Sequence, residues 1–287
     1  MTDAVRKKKV GLVIGSGGIK PLGLISLFEF LEHHQLKPDL LIGCSGGSIL
    51  ASPWAAGTSI ADLKVFITEY QNLLKNDSLL KKIDFQTLLG LANYPGGRFD
   101  QSSGILSKNW LLDFLKEKIG PKQLEDSPIK TLLVGTDLHT GEPVAIEKGL
   151  MAECIYASCA LYPILPPFYI NDRWVVDGAY HSAVPVLEAI KQDCDKIIAI
   201  SFEEKRSEVH SSFFEFYMEF VSQVLNKNAR KQNSFAVHFH HDEILFINCY
   251  FDKPINFWHV DSLSYINDTV ANTIEKHKES IMEMFKD

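Results

Sequence analysis

Short apolar runs and helically spaced apolar stripes alternate along most of this chain. Residues 10–14, Val-Gly-Leu-Val-Ile, are rich in β-branched side chains with no polar position, the pattern of a strand covered on both faces. Gly15-Ser16-Gly17-Gly18 ends that run, and residues 22–30 carry apolar side chains at helical spacing behind Pro21, which suits a helix start. A second run, Leu40-Leu41-Ile42, meets the turn Gly43-Cys44-Ser45-Gly46-Gly47, and Ser48-Ile49-Leu50-Ala51 opens a helix. Strand, helix, strand, helix in this order predicts an α/β fold with a central, mostly parallel sheet flanked by helices.

The pattern continues with helices over 60–91 and a breaker cluster, Asn93-Tyr94-Pro95-Gly96-Gly97, that reads as a surface loop or lid reaching Phe99. An amphipathic helix is expected over 106–119, a strand over 131–137 paired with 143–146, and a helix over 151–159. A proline-rich loop over 162–167 precedes a strand over 174–177, and further strands are expected at 196–200 and 244–250. The last element is a helix over 263–285. Phe213, Phe214, Tyr217, Phe220, Val221, Val224 and Leu225 form one helical stripe, read as a core-facing face in preference to a membrane-contacting one. Without repeats, low-complexity tracts or a Gly/Ser linker, residues 1–287 are expected to form one domain.

Composition narrows the function. With 46% hydrophobic and 23% charged residues, the 287-residue chain has an ordinary globular make-up. A net charge of -7 argues against nucleic acid as a partner. The basic cluster Arg6-Lys7-Lys8-Lys9 reads as a solvated lead-in to the first strand. Five cysteines with no Cys-x-x-Cys pair point to reduced thiols, not a disulfide framework. The N-terminus lacks the apolar core of a secretory signal, and no run approaches the roughly 20 residues of a membrane span. The expected location is cytoplasmic, with export by a signal-free route left open.

Candidate chemistry centres on Ser45. Gly-x-Ser-x-Gly between a strand and a helix is a nucleophile elbow: the tight turn exposes the serine, and the helix N-terminus behind it favours a developing anion. Such a serine needs a base and an oxyanion hole. Gly15-Ser16-Gly17-Gly18, on the neighbouring strand end, offers backbone N–H groups for the hole, Gly17 and Gly18 foremost. A dinucleotide fingerprint from Gly15 fails because Lys20 stands where glycine is required, and a phosphate loop fails because Pro21 follows Lys20. For the base, Asp177 ends a strand and precedes Gly178-Ala179. In a parallel sheet that end lies on the ligand-binding edge, facing Ser45, although a turn-capping aspartate reads equally well there.

Taken together the chain resembles the patatin-like phospholipase family. Four segments carry the resemblance in order: Gly15 to Lys20, like the family's oxyanion loop with its basic residue; Gly43 to Gly47, like its serine elbow; Ala157-Ser158-Cys159-Ala160 through Pro166-Pro167; and Asp177-Gly178-Ala179, like its Asp-Gly-Gly/Ala motif. Gly135 to Glu142 is a softer match. The resemblance covers about residues 10–205. It implies a three-layer fold and a Ser45–Asp177 dyad cleaving lipid acyl esters of the phospholipase A type without metal or cofactor. The substrate implies transient contact with a membrane surface. Cys44 and Gly46 replace the Thr and Ala common in that elbow, and Tyr180-His181-Ser182-Ala183 replaces an Asn-rich run. Residues 206–287 match nothing in the family and are expected as an extension packed on the domain.

Two other readings stay open. A non-catalytic lipid- or protein-binding module would keep the fold. A Ser-His-Asp esterase would add a later histidine such as His259, with His181 a lesser candidate. His238-x-His240-His241-Asp242 has metal-like spacing but reads better as a polar strand edge.

Overall fold

The computed structural model describes residues 7–75, 83–91, 93–207, 210, 213–239, 243–255 and 262–286. They build one mixed eight-stranded sheet: β1 (Val10–Ile14), β2 (Leu40–Cys44), β3 (Lys130–Asp137), β4 (Pro143–Ile146), β5 (Phe168–Ile170), β6 (Arg173–Asp177), β7 (Lys196–Glu204) and β8 (Glu243–Phe251). Its order is β5-β6-β3-β2-β1-β7-β8, with β4 also paired to β3. The five strands β3, β2, β1, β7 and β8 run parallel; β4 and β6 pair antiparallel with β3, and β5 pairs antiparallel with β6.

Nine helices are described: α1 (Ile25–His33), α2 (Gly46–Ala55), α3 (Ile60–Lys75), α4 (Phe85–Leu91), α5 (Asn109–Ile119), α6 (Met151–Cys159), α7 (Val186–Lys191), α8 (Phe213–Phe239) and α9 (Leu263–Met284). Both faces of the parallel strands are covered, which is why those strands read as unbroken apolar runs. On one face Leu12, Ile14 and Ile198 pack with residues of α1, α2, α3, α5, α6 and α9. On the other, Val13, Ile42 and Ile197 pack with Val186 and Ala189 of α7 and with Ala229 and Ala236 of α8. The segment after residue 206 therefore supplies both an edge strand of the sheet and one helix to each face.

Several boundaries differ from expectation for identifiable reasons. The helix expected at 22–30 divides into a 3-10 turn, Lys20–Leu24, and α1. α5 begins at Asn109 because the N–H groups of Ile105 and Leu106 donate to the carbonyls of Pro163 and Ile164. β5 was absent from the sequence pattern. It pairs with β6 across Asn171-Asp172, both left-handed at φ 53° and 59°, a primed hairpin turn that suits Asn and Asp. The α8 stripe also divides. Tyr217, Val221 and Leu225 are partly buried, whereas Phe220 and Val224 are exposed, because the apolar arc is wider than the face that the domain covers. None of the described helices is long and apolar enough to cross a membrane.

Candidate active site

Ser45 sits where β2 ends and α2 begins. Its backbone is held at φ 52° and ψ -129°, a conformation costing on the order of 1–3 kcal/mol for a non-glycine residue. Two interactions hold it there. The Ser45 N–H donates to Ser158 Oγ at 3.0 Å, and that hydroxyl donates to the Val134 carbonyl at 2.7 Å. Ser158 is fully buried on α6 and so ties the elbow to the neighbouring strand. It belongs to the Ala-Ser-x-Ala segment, but no spacing in the chain marked it as a support of the serine.

The Ser45 hydroxyl donates to Asp177 Oδ2 at 2.6 Å across 132 positions of sequence. Asp177 reaches the serine by a route different from the expected one. β6 is antiparallel to β3, and the register places Asp177 opposite Gly135 while Cys44 lies opposite Val134. Cross-strand register, not a shared strand direction, brings the carboxylate level with the elbow. Its other oxygen accepts from the Ala179 N–H at 2.8 Å, so the capping reading and the site placement hold together. Thr136 Oγ1 also donates to the Asp177 carbonyl at 2.9 Å.

Asp177 is 2% exposed. Burial pushes its carboxyl up from 3.8 to about 6, opposed by the hydrogen bonds from Ser45 and Ala179. The sign of the stability effect follows. Between pH 3.8 and 6 the folded chain holds a proton that the unfolded chain has released, so this group's contribution is full below 3.8 and is lost as pH rises through 6. Ionised Asp177 thus costs roughly 3 kcal/mol of stability near neutrality. Asp177→Asn is expected to raise Tm relative to wild type more at pH 7.5 than at pH 4.5. Equal differences at the two pH values in thermal melts would contradict this.

The glycine loop narrows on inspection. The N–H groups of Gly15 and Ser16 donate to the carbonyls of Ile200 and Ala183 at 2.9 and 2.7 Å, so both are occupied. Those of Gly17 and Gly18 donate to no group among the described residues. Gly18 lies at φ 60° and presses its carbonyl against α2. A methyl group on Gly46 would overlap that oxygen, so this loop excludes the alanine common in the family elbow. Restoring it with Gly46→Ala is expected to displace the loop and lower kcat by about 100-fold with the fold retained. Steady-state kinetics alongside circular dichroism checks this, and unchanged kcat would contradict it. Lys20, following the loop, is nearly buried and pairs with Glu204 at 3.2 Å.

A cavity of about 340 Å³ opens over Ser45 and Asp177. Its lining mixes apolar side chains, Ile49, Tyr70, Leu111, Leu165, Met218 and Val221 among them, with the polar Glu204, His210, Glu219 and Asn226. None of residues 94–99 lines it, which leaves that segment the surface-loop reading of the two, and residues of α8 with Leu161, Ile164 and Leu165 form part of its walls. The His181 ring lies 3.3 Å from the Gly141 carbonyl, away from the dyad, and His210 Nε2 lies 2.6 Å from Glu219. Cys159 lines the cavity, but burial holds its thiol far above the range of a reactive one. Among the described residues no three metal-ligating side chains gather. His240, His241, Asp242 and His259 lie outside the described residues, as does Arg6.

Residues 12–190 match a family model described as patatin-like phospholipase. The chain is similar to an uncharacterised NTE family protein of Mycobacterium tuberculosis (strain ATCC 25618 / H37Rv), 25% identical over 193 residues, which is 67% of this chain and 49% of that protein. It is also similar to lysophospholipase NTE1 of Candida albicans (strain SC5314 / ATCC MYA-2876), 27% identical over 191 residues, 67% of this chain and 13% of that protein. The chain therefore spans about half the length of the first and a small part of the second. Its backbone aligns with the crystal structure of VipD from Legionella pneumophila over 95% of this chain and 67% of that one, at 11% identity and a TM-score of 0.46.

Proposed function

The chain belongs to the patatin-like phospholipase family, and from that premise we propose that it is a serine acyl hydrolase of the phospholipase A type, cleaving lipid acyl esters with a Ser45–Asp177 dyad. The observation that carries the reading is the 2.6 Å hydrogen bond from Ser45 Oγ to a buried carboxylate at the base of a partly apolar cavity. As Ser45 attacks the ester carbonyl, Asp177 takes its proton. The raised carboxyl makes it a better base than an exposed aspartate, and the Ala179 N–H holds its orientation. The unoccupied N–H groups of Gly17 and Gly18 receive the oxyanion, assisted by the N-terminus of α2. Asp177 then returns the proton to the departing alcohol, leaving the acyl group on Ser45. Water attacks that acyl-enzyme with Asp177 again as base, releasing fatty acid and restoring the serine.

The mixed apolar and polar lining of the cavity fits an amphiphilic ester. No described histidine bonds to Ser45 or Asp177, which weighs against a Ser-His-Asp esterase. The reading takes residues 1–287 as one domain, with 206–287 interlocked with its sheet.

The test is fatty-acid release from diacylphospholipid, lysophospholipid and a water-soluble short-chain ester, with Ser45→Ala alongside. Release by the wild type, lost in the variant, is the expected outcome. Vesicle binding with no ester cleaved in any of the three would instead favour the binding module.

A further inference from the structure

The outer side of α8 exposes large apolar side chains beside lysines. Phe216, Phe220 and Val224 are 50%, 59% and 49% exposed. They recur every four positions and so share one side of the helix, and Lys227 and Lys231 continue the same side. None of the exposed residues of α8 is acidic, in a chain whose net charge is -7. Arg230, also exposed, is held by Glu203, which leaves Lys227 and Lys231 as the charges facing outward. The inner side of the same helix carries Met218, Val221 and Leu225, which line the cavity over Ser45.

We infer that the outer face of α8 docks on an anionic lipid surface and so brings the cavity mouth to its substrate. The inference rests on the lipid-ester reading above and names the partner of that same site. Aromatic and aliphatic side chains flanked by lysines on one helical face match a helix lying in the headgroup region of a bilayer. Lysines on a helical face with no exposed carboxylate complement anionic headgroups, each adding to the attraction. The docking face is continuous with the catalytic cavity: a shallow groove lined by Phe216, Phe220, Val224 and Lys227 shares His210, Glu219 and Asn226 with the cavity itself. A second copy of this chain is the poorer occupant, because its own outer α8 face offers no exposed carboxylate to meet the two lysines.

The experiment uses the full chain carrying Ser45→Ala, so that binding is read without turnover. It is floated with vesicles of phosphatidylcholine alone and of phosphatidylcholine with phosphatidylglycerol. The expected result is co-flotation with the anionic vesicles and little with the neutral ones. Adding Phe220→Glu and Val224→Glu is expected to raise the lipid concentration for half-binding by about tenfold or more, as is Lys227→Glu with Lys231→Glu. With Ser45 restored, the Phe220→Glu/Val224→Glu protein should lose turnover on vesicles yet hydrolyse the water-soluble ester at the wild-type rate, since neither side chain lines the cavity. Failure of the hydrolase reading would appear as no hydrolysis by any form, independently of flotation. Unchanged flotation in the variants overturns the inference. So does absence of flotation by the parent, or a dimer in light scattering that Phe220→Glu dissociates.

Discussion

Replacing Ser45 with alanine is expected to lower hydrolysis of any accepted ester by at least about 10⁴-fold, because it removes the hydroxyl that attacks the carbonyl. The substitution removes one oxygen and leaves the elbow's backbone bond to Ser158 and that residue's bond to Val134 intact. The variant should therefore fold and melt close to the wild type. It also relieves the buried Asp177 of nothing but one hydrogen bond, whose loss raises the carboxyl further. Matched kinetics and thermal melts check both halves. Retained turnover above that residual level would remove Ser45 from the mechanism, and an unfolded variant would show that the hydroxyl is structural.

The pH dependence carries the second large effect. With the Asp177 carboxyl near 6, kcat/KM of the wild type is expected to fall about tenfold per pH unit below that value and to level off above it. The direction follows from the role: only the ionised carboxylate accepts the Ser45 proton, so activity is lost on the acid side. Asp177→Asn should lower the plateau by roughly 10³-fold and abolish the acid limb, because asparagine neither takes a proton nor titrates. A variant that kept the same limb near pH 6 would assign it to another group. Asp84 and Asp137 do not confuse the profile, since backbone hydrogen bonds hold both below the ordinary carboxylate range.

Much of the architecture and of the proposed site was legible in the residues because both depend on local pattern. β1 occupies the expected residues, since a fully buried strand allows no polar interruption, and α6 does so because its apolar positions recur at helical spacing. The elbow was legible because its turn tolerates only small neighbours, and the Gly46 contact with Gly18 shows how tight that tolerance is. What remained hidden depends on pairing. The antiparallel pairing of β6 with β3 and the Asn171-Asp172 hairpin to β5 are not registered by apolar periodicity, although the dipeptide itself is a turn signal. Spacing alone cannot separate the occupied amides of Gly15 and Ser16 from those of Gly17 and Gly18, because their partners, Ile200 and Ala183, come from the far side of the chain. The α8 stripe was legible as a helix but not as a divided one. Which part of a broad apolar arc is covered depends on the sheet beneath it, where Ala229 and Ala236 alone are buried among the described side chains of α8.

The most direct test of the dyad is labelling of the purified chain with a fluorophosphonate, with the modified peptide mapped by mass spectrometry and Asp177→Asn treated in parallel. The account predicts a single phosphonylated residue, Ser45, and labelling at least about 100-fold slower in the Asp177 variant, since the probe reports a serine activated by its base. A folded wild-type protein that takes no label at Ser45, or one whose labelling rate is indifferent to Asp177, would contradict it.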